Sequence, residues 1–322
     1  MQLSVIICSH NPREDYLERT LAGLKTQTLP VEHWELLLID NASSAPLESH
    51  WDLSWHPNAR HIREDELGLT PARLRGIREA GGGLLVFVDD DNVLHSDYLG
   101  NSVGIADQSP MLGCIGAGMI VPEFEVQPDP ELLPYTGMLA LRSVDGTHWS
   151  NDPADDCVPW GAGMIVRAHI AREHAVRLES QSHSLQLDRK GDQLNSCGDE
   201  EFSWTACSMG YGKGLFPELR ITHLIPKNRI EIDYLLKIAE GHAFSKGILF
   251  AKYGREIHHQ REEVGPASVL RAISTLSIDR FFGAGRMWMT WRARSEVEKL
   301  FRRASSRGRL RAIGLGNPAG HP

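Results

Sequence analysis

The chain has few cysteines, and they are not arranged for cross-links or for zinc. Five occur among the 322 residues. They are Cys8, Cys114, Cys157, Cys197 and Cys207. The number is odd and no pair has C-x-x-C spacing, which argues against a disulfide framework and against a zinc site. Free thiols in a reducing cytoplasm fit this composition best.

Long apolar runs are also missing. No stretch reaches the roughly 20 apolar residues that a membrane-spanning helix requires. The sequence begins with a strand pattern at Leu3, without the charged leader and apolar segment of a signal peptide. We therefore expect a cytoplasmic protein. Neither an internal repeat nor a low-complexity segment is visible.

Positive charge is scarce overall and concentrated at the C-terminal end. The formal net charge is -8, which argues against a nucleic-acid partner. From Ala251 onward, 14 Lys and Arg stand against 6 Asp and Glu, with aromatic residues among the arginines. We therefore separate a helical extension with a basic tail, residues 229–322, from a first domain, residues 1–228. For residues 266–322 we expect peripheral contact with an anionic membrane, at the inner face of the plasma membrane. A helix pair docked on the domain or a dimer seam is the alternative.

Strand patterns alternate with helical ones in the first part of the chain. Short apolar runs at Leu3–Cys8, Trp34–Ile39 and Leu84–Val88 predict buried strands. Helical spacing separates them, from Tyr16 to Leu24 and from Pro71 to Glu79. This order predicts an α/β fold with a mostly parallel, Rossmann-type sheet flanked by helices.

The second part of the chain carries weaker patterns. Residues 122–158 are rich in Pro, Asp and Gly and predict a long irregular loop. A turn and a strand should follow at Val158–Val166, then a helix at Asp199–Met209 and a short strand at Leu219–Ile225. A further helix is expected from Ile232 to Tyr253.

The most informative segment is acidic. The strand Leu84–Val88 runs directly into Asp89, Asp90 and Asp91. Open α/β sheets bind ligands at the C-terminal ends of their strands. Three adjacent carboxylates repel one another, and a divalent cation that carries a diphosphate would offset that repulsion, with oxygen ligands favouring Mg²⁺ or Mn²⁺. A solvated acidic turn that caps the next helix is the alternative for this triplet alone.

Polar residues also follow the other predicted strands. Ser9-His10-Asn11 comes after the first strand and Asp40-Asn41 after the second. A parallel sheet brings both segments to the same edge as the acidic triplet. Cys197–Glu201 opens a late helix and adds further carboxylates.

Five segments in this order resemble the family-2 glycosyltransferases, inverting enzymes of the GT-A fold, over roughly residues 3 to 226. They are Ser4–Asn11 (the opening strand), Leu37–Ser44 (the V-D-N/D-x-S-x-D segment), Gly68–Arg73 (a helix start), Val88–Asp91 (the D-x-D motif) and Gly198–Trp204 (the E-D-x-E-L motif). Two departures are visible. Gly198 stands where the family has Glu before its base, and Ala45-Pro46 follows Ser44 where the family has Asp.

The resemblance implies a donor site and a metal site. The residues expected to bind the nucleotide sugar are Ser9, Asn11, Asp40, Arg73, Asp89 and Asp90. Asp40 would contact the base, helped by the backbone around Ser9 and Asn11. Asp91 would be the main ligand of Mg²⁺ or Mn²⁺, with Asp89 and His223 beside it.

The resemblance also implies an acceptor side. Asp199 would be the general base, with Glu200 in that role if the motif is shifted by one residue. Trp160, Gly161 and Glu201 would line the sugar and acceptor pocket. One in-line displacement needs one charge-stabilising site for the diphosphate and one separate base, which matches this division of residues.

The function implied is a metal-dependent inverting glycosyltransferase. Its donor would be a nucleotide-diphosphate sugar, a UDP-sugar in the first instance. Its acceptor would be a saccharide or a lipid-linked acceptor in polysaccharide or cell-envelope biosynthesis. A sugar nucleotidyltransferase is disfavoured because Ser9–Pro12 contains no glycine for a phosphate loop. The other alternative is a non-catalytic saccharide-binding or scaffold relative, which would bind ligand without turnover.

Overall fold

A computed structural model describes residues 1–180, 189, 194–262 and 296–315, without the side chains of 254–262 and 314–315. The expected amphipathic segment from Val269 to Ile278 and the aromatic one from Phe281 to Trp291 lie outside the described residues. Two compact units are distinguished, Met1–Leu235 and a second that begins at Leu236. The division into residues 1–228 and 229–322 stays a prediction.

Four parallel strands form the first part of the sheet. They are β1 (Leu3–Ser9), β2 (Trp34–Asn41), β3 (Ala59–Glu64) and β4 (Leu84–Val88), in the spatial order β3-β2-β1-β4. Every residue of β2 and β4 is buried. Strands that are covered on both faces need a continuous apolar sequence, and this is why these runs predicted strands.

The second part of the sheet is mixed. Its strands are β5 (Asn92–Leu94), β6 (Leu112–Phe124), β7 (Arg142–Ser143), β8 (His148–Ser150), β9 (Ile165–Arg167) and β10 (Gly212–Ile225). β9 is antiparallel to both β4 and β6, while β6 and β10 are parallel. β5 and β8 join β10, and β7 joins β6. The predicted mostly parallel α/β sheet is confirmed. β9 is the antiparallel strand between β4 and β6, and the short strands β5, β7 and β8 also pair antiparallel with their neighbours.

Helices cover both faces of the sheet. They are α1 (Glu14–Lys25), α2 (Leu69–Glu79), α3 (Tyr98–Gln108), α4 (Ala168–Ser180) and α5 (Gly198–Ser208). α1 and α3 pack with Val5 and Ile7 of β1, and α2, α4 and α5 pack with Ile6. This alternation follows from the two-residue period of a strand. A Cβ at Gly76 would lie 2.5 Å from Ile6 Cγ2, so glycine lets α2 approach β1 closely.

The second unit contains the longer part of α6 (Ile232–Glu262) and the helix α7 (Glu296–Leu315). A Cβ at Gly308 of α7 would overlap the carbonyl oxygen of Glu240 of α6, so the two helices touch through glycine. Arg307 Nε lies 2.8 Å from the Glu240 carboxylate, and Arg311 Nη1 lies 3.4 Å from it. In the described part of the chain, no helix is long and apolar enough to span a membrane.

Candidate active site

The C-terminal ends of β1, β2 and β4 meet at one edge of the sheet. Ser9 lies opposite Asp40 in the β1–β2 register, and β4 leads into the acidic triplet on the other side of β1. Parallel strands in adjacent positions make this convergence unavoidable. The predicted grouping of strand-end residues is therefore present in the structure.

Asp90 and Asp89 occupy the centre of this edge. The Ser9 hydroxyl donates a short hydrogen bond to Asp90 Oδ2. Burial, and next the charge of Asp91, raises the pKa of Asp90 to about 7. Burial and Asp91 also raise the pKa of Asp89, and the positive charge of Arg73 opposes that rise. Protonation of Asp90 near neutral pH would relieve part of the repulsion among the three carboxyls.

Asp91 is buried and surrounded by cationic and polar groups. Arg229 Nη1 donates to its Oδ2 at 2.7 Å, and Asn92 Nδ2 donates to its Oδ1 at 2.7 Å. His223 lies opposite Asn92 in the β5–β10 pairing, with Nε2 3.4 Å from Asp91 Oδ1. Burial alone would raise the pKa of Asp91, but the charges of His223 and Arg229 outweigh it and hold that pKa well below its usual range.

Sequence reasoning missed Arg229. It lies in the short 3₁₀ turn Lys227–Ile230 that follows β10, six residues after His223. A basic residue just beyond a strand that ends near three carboxylates was the available signal. Its importance depends on the β10–β5 pairing, which the sequence does not reveal.

The donor set at this edge suits a divalent cation in its chemistry. Asp89 and Asp91 offer carboxylate oxygens and His223 offers an imidazole nitrogen. Mn²⁺ and Mg²⁺ differ in how readily they accept an imidazole beside carboxylates. Both His223 ring nitrogens are buried without a well-formed hydrogen bond to any described residue. Among the described residues, no group of three His, Cys, Asp or Glu side chains is arranged so that it could hold a metal ion. An ion bound by Asp91 Oδ2 would compete with Arg229 for that oxygen.

Asp199 lies in the first turn of α5 and is held from two sides. Arg73 Nη1 of α2 is 2.7 Å from its Oδ1, and the Gly161 N–H donates to its Oδ2 at 2.7 Å. The Arg73 side chain is only 6% exposed. A Cβ at Gly161 would overlap the Arg73 guanidinium and lie 2.9 Å from Asp199 Oδ1, so this approach requires glycine. Arg73 was expected at the donor, and that role stays a prediction beside its observed pairing with Asp199.

The two neighbouring glutamates have different surroundings. Glu200 Oε1 lies 3.7 Å from the Cys197 thiol at the start of α5. Glu201 is buried and lines a small cavity between α2, α4 and α5 with Thr70, Arg73 and other residues of these helices. Asp199, by contrast, accepts a hydrogen bond from the Gly161 turn. This contact favours Asp199 over Glu200 as the candidate base.

Trp160 precedes Gly161 and lies against an arginine that the sequence did not single out. The Arg142 guanidinium carbon is 3.5 Å from the centre of the Trp160 ring, and Arg142 Nη2 donates to the Val158 carbonyl at 2.8 Å. Arg142 belongs to β7, inside the segment predicted as an irregular loop. The pairing of β7 with β6 brings this arginine to the turn that carries Gly161.

Asp40 and Asn11 organise the loops beside the triplet. Asp40 accepts hydrogen bonds from Ser43 N at 3.0 Å, Leu47 N at 3.1 Å and Arg63 Nη1 at 2.8 Å. Burial would raise the pKa of Asp40, but the hydrogen bonds from Ser43 and Arg63 lower it.

Asn11 adopts a left-handed conformation with φ 46°. Its N–H donates to Ser43 Oγ at 3.0 Å, which joins the β1 and β2 loops. The contacts of Asp40 and Asn11 together stabilise the rim of the candidate donor site. The expected contact of Asp40 with the base stays a prediction.

Comparison with known proteins gives a family match. Residues 4–171, just over half of the chain, match the model of Glycosyl transferase family 2. The glycosyltransferase AglE of Haloferax volcanii is 28% identical over 104 residues, which cover 31% of this chain and 34% of AglE. The match thus spans about a third of that curated relative.

Two solved structures are similar to this chain, and the first of them supports the fold. The mannosyltransferase PcManGT from Pyrobaculum calidifontis, in complex with GDP-Man and Mn²⁺, matches with a TM-score of 0.56 and 17% identity, over 96% of this chain and 87% of that one. S. aureus TarS 1-349, in complex with UDP-GlcNAc, matches with a TM-score of 0.49 and 14% identity, over 76% of this chain and 66% of that one.

Proposed function

The chain belongs to glycosyl transferase family 2, and from that premise we propose that it transfers a sugar from a nucleotide-diphosphate donor to an acceptor hydroxyl, with inversion. Asp199 is the proposed general base, and the edge with Asp89, Asp90 and Asp91 is the proposed donor site. A non-catalytic relative that only binds saccharide is the competing function.

One observation carries the proposal. Asp199 is fixed by Arg73 and by the Gly161 N–H, each at 2.7 Å. An acceptor hydroxyl is a weak nucleophile near neutral pH and needs a positioned group to take its proton. Each carboxylate oxygen has two lone pairs, so Oδ2, which accepts a hydrogen bond from the Gly161 N–H, has a second lone pair for a hydroxyl. A carboxylate oriented in this way suits a base better than one that only caps a helix.

The leaving diphosphate needs positive charge at the other end of the site. Arg229 and His223 provide cationic or hydrogen-bonding groups close to Asp91. The proposed ligands of Mg²⁺ or Mn²⁺ are Asp91, Asp89 and His223. A bound ion would stabilise the negative charge that develops on the diphosphate. In the proposed complex, Arg229 turns from Asp91 toward the phosphate oxygens, which suit its planar donors.

Uracil and guanine are the two candidate bases of the donor nucleotide. The contacts at the rim are made by Asn11, Asp40 and Ser43, whose hydrogen bonds fix the loops but do not select a base. A UDP-sugar remains the first expectation. The mannosyltransferase with the similar fold is in complex with GDP-Man, so guanine nucleotides belong in the same test.

We also propose a class of acceptor and a cellular location. A saccharide or lipid-linked saccharide in polysaccharide or cell-envelope biosynthesis fits an inverting transferase that works in the cytoplasm. Peripheral contact of residues 266–322 with anionic lipid can be tested by sedimentation with anionic vesicles. Because α7 packs against α6, the test variant replaces Arg280, Arg286 and Arg292 by Gln and does not delete the segment. Equal sedimentation of variant and wild type would contradict the membrane proposal.

A melting-temperature screen tests the proposed function. UDP, GDP and their sugar derivatives are added with and without Mn²⁺ to the wild type and to Asp91→Asn. We expect one nucleotide series to raise the melting temperature in an Mn²⁺-dependent manner, and the substitution to remove that dependence. No shift with any nucleotide, from folded protein, would contradict the donor site. A shift without any sugar transfer or donor hydrolysis would favour the binding relative.

A further inference from the structure

Several arginines lie in or beside the candidate site, and Arg142 differs from three others in its surroundings. Three pair with a carboxylate: Arg63 with Asp40 at 2.8 Å, Arg73 with Asp199 at 2.7 Å and Arg229 with Asp91 at 2.7 Å. Arg142 has no carboxylate within ion-pair distance among the described residues. It is therefore the cation of this group that no described carboxylate neutralises.

The surroundings of Arg142 make an unmatched charge costly. Its Nη2 donates to the Val158 carbonyl, and its flat face lies on the Trp160 ring at 3.5 Å. Its Nη1 has no exposed surface and no hydrogen-bond partner in the part of the chain that the structure covers. Burial lowers the pKa of Arg142 to about 10. The aromatic ring compensates part of the charge, but an anion would compensate more.

The position of Arg142 is on the acceptor side of Asp199. β7 joins β6, and β9 and β4 separate β6 from the strands β1 and β2 that carry the proposed nucleotide rim. Trp160, the ring under Arg142, is followed by Gly161, whose N–H holds Asp199. A group bound at Arg142 would thus lie beside the turn that holds Asp199 and away from the strands that carry the proposed nucleotide rim.

We propose that Arg142 binds an anionic group of the acceptor, so that the acceptor is an acidic saccharide with a carboxylate or a phosphate near its reacting hydroxyl. The inference rests on the proposed function. Both groups present oxygens that match the guanidinium edge. Since Nη1 is covered in this structure, the anion reaches it when the half-buried Trp160 side chain moves off the guanidinium.

Ligand-detected NMR titrations of the full chain test the proposal with three probes: D-glucuronate, D-glucose 6-phosphate and D-glucose. We expect the wild type to bind one or both anionic sugars at least about tenfold more tightly than glucose. Arg142→Gln should abolish this preference, and Arg142→Lys should retain part of it because the charge remains without the planar fork. Arg78→Gln, which removes an exposed arginine paired with Glu179, should leave it unchanged.

Two results would overturn the proposal. One is equal binding, or absence of binding, of all three sugars to the wild type. The other is an anion preference that survives in Arg142→Gln. If Arg142→Gln does not fold, as judged by its melting curve, a full wild-type preference in Arg142→Lys overturns it too. The relative affinity of glucuronate and glucose 6-phosphate distinguishes a carboxylate from a phosphate. The nucleotide screen is independent, so failure of the donor site and failure of the anion site give different patterns.

Discussion

The donor side and the acceptor side of the site are held together by different kinds of contact. On the donor side, Asp40, Asp90 and Asp91 receive hydrogen bonds from Arg63, Ser9 and Arg229. On the acceptor side, Asp199 also pairs with an arginine, Arg73, but this pair and the loop around it depend on close approaches at glycines. We therefore expect the donor side to respond mainly to changes of charge and the acceptor side to respond to changes of shape as well.

The acceptor side depends on close approaches that a single methyl group would block. A Cβ at Gly116 of β6 would lie 2.7 Å from Pro159 Cα, and one at Gly118 would lie 2.6 Å from the backbone of Phe216. Lys213 is fully buried and donates to the carbonyls of Pro153 and Asp155 at 3.0 and 2.7 Å. These contacts fix the long loop without any regular pattern in its sequence.

Gly161→Ala should have the largest effect. The added methyl group overlaps Arg73 and crowds Asp199, which displaces the proposed base from its position. We expect kcat to fall by about 100-fold, because misplacement of a catalytic group by an ångström has such an effect, while donor affinity changes less. Steady-state kinetics with a donor titration measure both. Gly137→Ala is the matched control, since a Cβ there meets nothing within 4 Å; equal losses in both variants would contradict the shape dependence.

Arg229→Gln should have the next largest effect, on stability and on metal binding. It leaves the buried Asp91 carboxylate without its 2.7 Å partner, so we expect the free energy of unfolding to fall by about 2–4 kcal/mol. Since Mn²⁺ and Arg229 compete for Asp91 in our account, the variant should bind Mn²⁺ more tightly in calorimetric titration. Arg220→Gln, whose side chain is 46% exposed, is the control. Weaker Mn²⁺ binding in Arg229→Gln would refute the competition.

Asp40→Asn should have a smaller effect that depends on pH. The folded protein lowers the pKa of Asp40, so its ionised form contributes stability above the unfolded value near 4, and that contribution is lost as the pH falls through the folded value. We expect a loss of about 1–2 kcal/mol at pH 7 that shrinks below about pH 4. Denaturant unfolding at several pH values measures it. Asp65→Asn, at an 87% exposed partner of Arg63, should show little change; a pH-independent loss at Asp40 would contradict the electrostatic cause.

The same comparison explains how much of the fold could be predicted from the sequence. β1, β2 and β4 were predicted because strands buried on both faces leave continuous apolar runs, and the carboxylates after β4 marked the edge. The helix α4 and the strand β5 were not predicted. Strand β5 has three residues that owe their conformation to pairing with β10, a contact between distant parts of the chain.

The candidate site divides in the same way. Asp199, Gly161 and Trp160 were named from motifs, and the structure brings them into one cluster with Arg73. Arg142 and Arg229 were not, because single arginines in a loop and a turn carry no periodic signal. Their partners lie 18 and 138 residues away in sequence, so only the folded chain shows what they contact.

The most direct measurement compares the turnover and donor affinity of Asp199→Asn with those of the wild type and of Glu200→Gln. The account predicts that Asp199→Asn lowers kcat by about 10²- to 10⁴-fold, as expected for loss of a general base, with a donor Kd close to that of the wild type, and that Glu200→Gln keeps most of the activity. Wild-type turnover in Asp199→Asn, or a loss confined to Glu200→Gln, would contradict the assignment of Asp199 as the base.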